Sequence, residues 1–264
     1  MGLTLVVASN LAAMRCRRSR NLPAMSDTAD NGNGTVSAER HGDVLLVRVD
    51  DGKANAFSVP MLAALDAQID TAEADDEIGA VVIAGNDRAF FAGFDLNVIR
   101  GGDRAAIGEL VSAGGAMVRR SYGSSVPVVA ACTGHAVAAG ALLLLGCDHR
   151  VGPDAQVKIG LNEVAIALTL PDWAMTISKE RLSRRHLQRC VANARLLDGN
   201  GAVEAGYLDE AVSPDAVVDR ALEVAAELAE TLDAGAYAAT VRALRGDVLA
   251  AMDASVERDR AAAA

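Results

Sequence analysis

The chain has 264 residues, 51% of them hydrophobic and 3% aromatic, with 35 acidic against 25 basic side chains and a formal net charge of -10. That length suits one large domain, or one domain with an appendage, and the composition is too apolar for a disordered protein. No basic surface is on offer to a phosphate backbone, no apolar run approaches the ~18 residues of a membrane span, and nothing repeats with a fixed period, which argues against nucleic-acid, membrane and repeat classes. Cys16, Cys132, Cys147 and Cys190 lack any Cys-x-x-Cys spacing. They read as reduced, mostly buried thiols of a cytoplasmic protein, and no metal site is expected.

Residues 1–34 do not read as part of the fold. An apolar stretch precedes the basic group Arg15-Cys16-Arg17-Arg18-Ser19-Arg20, the reverse of a secretory signal. The segment is expected to lie upstream of the true start, with Met25 as initiator; a mitochondrial-type transit peptide is the alternative. From residue 35 strands and helices alternate. Val36–Glu39 and Val44–Val49 flank the hairpin turn His41-Gly42-Asp43. Ser58 caps a helix with Pro60 in its first turn and Met61, Leu65, Ile69 and Ala72 on one face. A strand over 80–84, a helix over 104–120 and a strand over 126–131 come next. The run from Ala139 to Cys147 is small residues and leucine, which suits a helix buried on all sides. Short strands are expected at His149–Val151 and Gln156–Ile159, and helices at Pro214–Leu232, capped by Ser213, and Ala234–Arg258. Strands feeding helices predict an α/β domain with a helical C-terminal piece. The expected boundaries are 35–200 for the core and 201–264 for the helical region.

Two loops carry the features needed to polarise a carbonyl. The strand at 80–84 leads to Ala92-Gly93-Phe94-Asp95-Leu96, where Gly93 permits a tight turn and Asp95 caps the helical turn after it. The strand at 126–131 leads to Thr133-Gly134-His135-Ala136-Val137-Ala138-Ala139-Gly140, whose small side chains admit a ligand to the positive end of the next helix. Two N–H groups converging on one oxygen would stabilise an enolate or tetrahedral anion, although tight turns around a core helix give the same sequence signature. Glu163, among Gly160-Leu161-Asn162 and Val164-Ala165-Ile166, is the candidate acid/base. A carboxyl group in apolar surroundings has its pKa raised and can exchange protons near neutrality; a strand-end glutamate facing water is the alternative.

Taken in order, Asp51-Gly52-Lys53-Ala54-Asn55-Ala56-Phe57, Ala92-Gly93-Phe94-Asp95-Leu96, the stretch 133–140 and Gly160-Leu161-Asn162-Glu163 resemble the motifs of the crotonase superfamily, the enoyl-CoA hydratases and isomerases. Ala205-Gly206-Tyr207-Leu208-Asp209 is similar to that family's Ala-Gly-Leu-Val-Asp. The resemblance implies an α/β spiral of ββα units, a helical C-terminal region used for trimerisation, and a homotrimer or a hexamer of two trimers. It implies an acyl-CoA substrate that brings its CoA with it, so no separate cofactor is expected. The N–H groups of Phe94 and Ala139 would hold the thioester oxygen. Lys53, Ala54, Asn55, Ala56, Ala92, Gly93, Asp95, Leu96, Asn97, Leu142 and Asn162 would line the CoA and acyl channel.

The departures from the family pattern point to the reaction. Ala139 stands where many members have glycine, and Leu142 where hydratases carry a second glutamate. Adding water to a double bond is served by two carboxylates, whereas moving a double bond from C3=C4 to C2=C3 needs one base and an oxyanion hole. Pro171 and Trp173 behind Gly-Leu-Asn-Glu are similar to the delta(3)-delta(2)-enoyl-CoA isomerases. The expected activity is therefore enoyl-CoA isomerisation, with Leu142, Leu161, Val164 and Trp173 keeping Glu163 dry. A hydratase using another acid, with Asp172 the candidate, and a non-catalytic CoA-thioester binder stay open. His135 and His149 are read as loop and strand-end residues, and Arg242 and Arg245 as a solvated helix face or a contact to CoA phosphates.

Overall fold

The computed structural model describes residues 35–263. The expectations for 1–34, including Met25 and Cys16, lie outside the described residues. Nine strands and nine α-helices are seen among those described. β1 (Val36–His41) and β2 (Val44–Val49) form the expected hairpin, turning at Gly42 with φ 62°. α1 (Val59–Ala74) comes next, with the Ser58 hydroxyl accepting from Met61 N–H. The chain then repeats one unit three times, a core strand, a short strand and a helix. β3 (Ala80–Ala84) leads to β4 (Ala89–Phe91), α2 (Leu96–Gly101) and α3 (Arg104–Tyr122). β5 (Val128–Ala131) leads to β6 (His135–Val137) and α4 (Ala139–Gly146). β7 (His149–Pro153) leads to β8 (Ile159–Gly160) and α5 (Asp172–Arg181). α6 (Leu187–Cys190), α7 (Gly199–Ala205), β9 (Glu210–Val212), α8 (Val217–Thr231) and α9 (Ala234–Ala263) complete it.

The core strands build one sheet in the order β1-β2-β3-β5-β7-β9, antiparallel between β1 and β2 and parallel thereafter. The short strands build a second, parallel sheet, β4-β6-β8. Because both faces of the large sheet are covered at its centre, β3 and β5 are apolar at every position and, with β2, alternate between two cores. Leu45, Val47, Val81, Ile83, Val128 and Ala130 face the main core. Leu46, Val82, Ala84, Val129 and Ala131 face α8, whose Val217, Ala221, Val224 and Ala225 close the other side. α4 is buried along its whole length, and α9 packs across α3 and α5.

Several bounds differ from the expectations. β5 begins at Val128, two residues past Val126, and the strand expected at Gln156–Ile159 is β8, Ile159–Gly160. The strands β4, β6 and β9 have three residues each, too few for a period to show in sequence. Pro214–Ala216 is a separate 3-10 turn before α8, and Ser213 makes no side-chain cap. α9 runs past Arg258 to Ala263.

Candidate active site

The site lies beyond the C-terminal ends of the small sheet, where each strand delivers one segment. The loop after β4 is strapped to residues 54–57 by three bonds: Ala92 N–H to Ala54 O (3.0 Å), Phe57 N–H to Gly93 O (2.8 Å) and Asp95 N–H to Phe57 O (3.0 Å). In this parallel bridge the Phe94 N–H points the opposite way, and it donates to none of the described residues. Gly93, at φ 91°, makes the turn, and Asp95 accepts from Asn97 N–H (2.8 Å) to start α2. The Phe94 ring meets Phe57 edge-on, with ring centroids 6.1 Å apart.

β6 delivers the second segment. Ala138 has φ 54° and ψ -124°, a conformation alanine adopts only under constraint, at a cost of about 1–3 kcal/mol. Three hydrogen bonds hold it: its N–H donates to Gly160 O (3.0 Å), and its carbonyl accepts from Ala141 (2.9 Å) and Leu142 (3.1 Å). The turn leaves Ala139 as the first residue of α4, with its N–H free of described acceptors at the positive end of the helix. Gly93 and this turn are packed together, since a Cβ at Gly93 would sit 3.1 Å from Ala138 Cβ and 3.8 Å from Ala139 N. Gly140 is pressed on the Phe91 carbonyl, where no side chain fits. Ala139 itself is buried in the main core, so its methyl is accommodated where the family favours glycine.

β8 delivers Glu163. Ile159 and Leu197 exchange two backbone bonds of 2.9 Å, which fixes the strand, and a 3-10 turn over Val164–Ile166 closes at Ala167 with φ 60°. Glu163 Oε2 is buried without a hydrogen-bond partner among the described residues. Burial raises the carboxyl above its ordinary 4.5, and the nearby N–H groups of Glu163 and Asn162 offset part of that. Leu142, Leu161 and Trp173 are closed to solvent. Val164 is 48% exposed and belongs to an open apolar lip with Ile166 and Leu168, so it is not the dry neighbour expected of it.

The remaining expectations divide. Lys53, Ala92, Leu96 and Asn97 are exposed, and Ala54, Ala56, Asp95 and Asn162 half-buried. Ala54 and Ala92 border an open groove of about 560 Å³ with Arg88, Thr133 and Val157. Asn55, expected beside CoA, is wholly buried at φ 53°, and its amide donates to the carbonyls of Val49, Ala89 and Phe90. It braces the loop and presents no side chain to a ligand. Asp51, absent from the expected site residues, completes that brace by accepting from Lys53, Asn55 and Ala56 N–H; an aspartate just ahead of the turn is the available signal. The Asp172 side chain is 78% exposed and paired with Arg258, on the surface rather than in the site. His135 Nδ1 accepts from Lys158 N–H, and His149 pairs with Glu210. Arg242 is exposed, but Arg245 is neither solvated nor free for phosphate. It is buried, bonded to Asp148 (2.6 Å) and the Tyr122 carbonyl.

Two N–H groups free of described acceptors and a buried, unpartnered carboxyl are the elements that proton transfer beside a carbonyl requires. Residues 39–262 match the family model described as enoyl-CoA hydratase/isomerase. The solved apo enoyl-CoA isomerase of Mycobacterium tuberculosis is 41% identical, with a TM-score of 0.80, covering 86% of this chain and 97% of that one. The 2,3-dehydroadipyl-CoA hydratase of Escherichia coli is 30% identical over 84% of this chain and 86% of its own length. The mitochondrial enoyl-CoA delta isomerase 1 of Rattus norvegicus is 27% identical over 74% and 69%. The chain belongs to the enoyl-CoA hydratase/isomerase family, in the crotonase superfamily, whose enzymes act on acyl-CoA substrates. Its relatives carry both isomerase and hydratase names. No helix among the described residues is long and apolar enough to cross a membrane.

Proposed function

We propose that this enzyme moves a double bond in a 3-enoyl-CoA to give the 2-enoyl-CoA, with Glu163 as the one base. The Glu163 carboxylate takes a proton from C2, and the C–H electron pair forms C1=C2 as the thioester oxygen gains charge. The N–H groups of Phe94 and Ala139 hold that oxygen in the dienolate. Glu163 then returns the proton to C4, where the C3=C4 pair forms the new C–H bond, as the C1=C2 pair moves to C2=C3 and the carbonyl re-forms. CoA arrives with the substrate, and no other cofactor enters. The observation that carries this reading is the unpartnered, buried Glu163 carboxyl, with apolar Leu142 where a second acid would stand and Asp172 engaged on the surface. We expect a homotrimer, or two stacked trimers, in the cytoplasm, a placement that the unbridged thiols of Cys132, Cys147 and Cys190 support.

The test offers a 3-enoyl-CoA and a 2-enoyl-CoA side by side and tracks products by chromatography and mass. Isomerisation without addition of water, lowered ~10²–10⁴-fold in Glu163→Gln, is expected. Hydration of the 2-enoyl substrate would replace this reading with that of a hydratase. Binding of CoA thioesters with no turnover of either would replace it with that of a binding protein.

A further inference from the structure

Gly206, at φ 94°, ends α7 and turns the chain so that Tyr207 enters the interior, where it is 0% exposed. Its hydroxyl has no hydrogen-bond partner among the described residues, although a phenylalanine would fill the same space without burying an unsatisfied polar atom. The inner oxygen of Glu163 is orphaned in the same way. The backbone brings the two regions together. Residues 195–197 run beside β8, with Leu197 paired to Ile159 and Gly160 facing the Arg195 carbonyl. α7 starts directly afterwards, and Tyr207 and Leu208 fold back on it, both donating N–H to Ala202 O. The phenol therefore lies behind the strand that delivers Glu163, toward the Leu161 N–H. The titratable groups that face it are Cys190 on α6 and Glu163. Burial first, then those two, push the phenol well above its ordinary 10, with Leu161 N–H opposing, so it stays a neutral O–H donor at any working pH.

We propose that Tyr207 is a positioning residue for the base: its buried hydroxyl reaches the inner carboxylate oxygen of Glu163 across one bridging water and leaves the outer oxygen to the substrate. This rests on the reading of Glu163 as the base. A donor on the inner oxygen fixes the carboxylate rotamer and favours its charged form, which counters part of the burial that Leu142 and Trp173 maintain. The family stretch that Ala205–Asp209 resembles has leucine at this position, so the hydroxyl is a feature of this chain.

The test is Tyr207→Phe in the full-length enzyme, assayed with a 3-enoyl-CoA across pH. Loss of the donor should lower kcat ~10-fold with KM little changed, and move the acid limb of the profile up by about one pH unit. A purely structural tyrosine would leave that limb in place, and a variant with wild-type kcat and profile would overturn the proposal. Glu163→Gln separates the two readings. If it stays active, the base assignment itself fails; if it is inactive while Tyr207→Phe is unaltered, only the tyrosine is misassigned. A second measurement needs neither turnover nor a folded Tyr207 variant. With ¹³C at Cζ of the three tyrosines, one resonance should track a carboxylate titration in wild type and lose it in Glu163→Gln. Identical titrations of all three in both proteins would also overturn the proposal.

Discussion

Two carboxylates, one a third exposed and one with its inner oxygen buried, show how differently one fold treats them. Asp209 sits in the fork of Arg150, with both oxygens engaged at 2.7 Å, and also accepts from Arg150 N–H (2.9 Å). Burial alone would raise it, but the arginine's hydrogen bonds and charge outweigh that and hold it below its ordinary 3.8. Glu163 is buried with no cation beside it, and its carboxyl is raised. The first carboxylate is a fixed charge that ties β7 to the turn before β9. The second has the environment of an exchangeable proton. Desolvation disfavours the ion at both, more completely at Glu163, and the partner decides between structure and chemistry.

That contrast can be broken at either end. Asp209→Ala strands the buried Arg150 guanidinium and should cost about 3 kcal/mol, read as a lower denaturant midpoint, with the activity of the folded fraction unchanged. Glu163→Gln should do the reverse, abolishing turnover while raising Tm at neutral pH, because it removes an ion that burial disfavours. The two sites should also separate with pH. Asp209, lowered in the fold, contributes stability that is complete above pH ~4 and is lost as pH falls through its folded value. Glu163, raised in the fold, contributes a penalty that is absent below pH ~4 and grows as pH rises through its folded value. The Tm gain of Glu163→Gln should therefore vanish in acid, and a gain that persists there would contradict an unpaired buried carboxyl. The smallest effect concerns the opposing wall. Ala138→Gly relaxes a positive φ and should change stability by about 1 kcal/mol or less in either direction, since the added chain entropy offsets the relief; a thermal melt reads it.

Much of this arrangement is legible in the sequence. The all-apolar strands at 80–84 and 128–131, the leucine-rich α4 and Glu163 among apolar neighbours come from periodicity and composition. The features that escape it do so for physical reasons. β4, β6 and β9 are held by pairing to distant strands, which three-residue segments do not announce. Arg245 looks like any arginine on a polar helix face, and only the crossing of α9 over α3 brings it to Asp148, just ahead of β7. Asn55 stands out in the right loop for the wrong reason, since a turn asparagine and a buried brace share one letter. Ala138 gives no signal at all, because alanine is seldom found with that backbone.

The Glu163 carbonyl accepts from two N–H groups, those of Ile166 (3.0 Å) and Leu168 (2.9 Å). The exposed lip of Val164, Ile166 and Leu168 is thus a closed ring of main chain that begins and ends on Glu163. Its length is consequently fixed. One residue inserted or deleted between 164 and 167 would shift those donors and reorient Glu163. The side chains of the lip carry no such restriction, so this segment should tolerate wide variation in sequence and almost none in length.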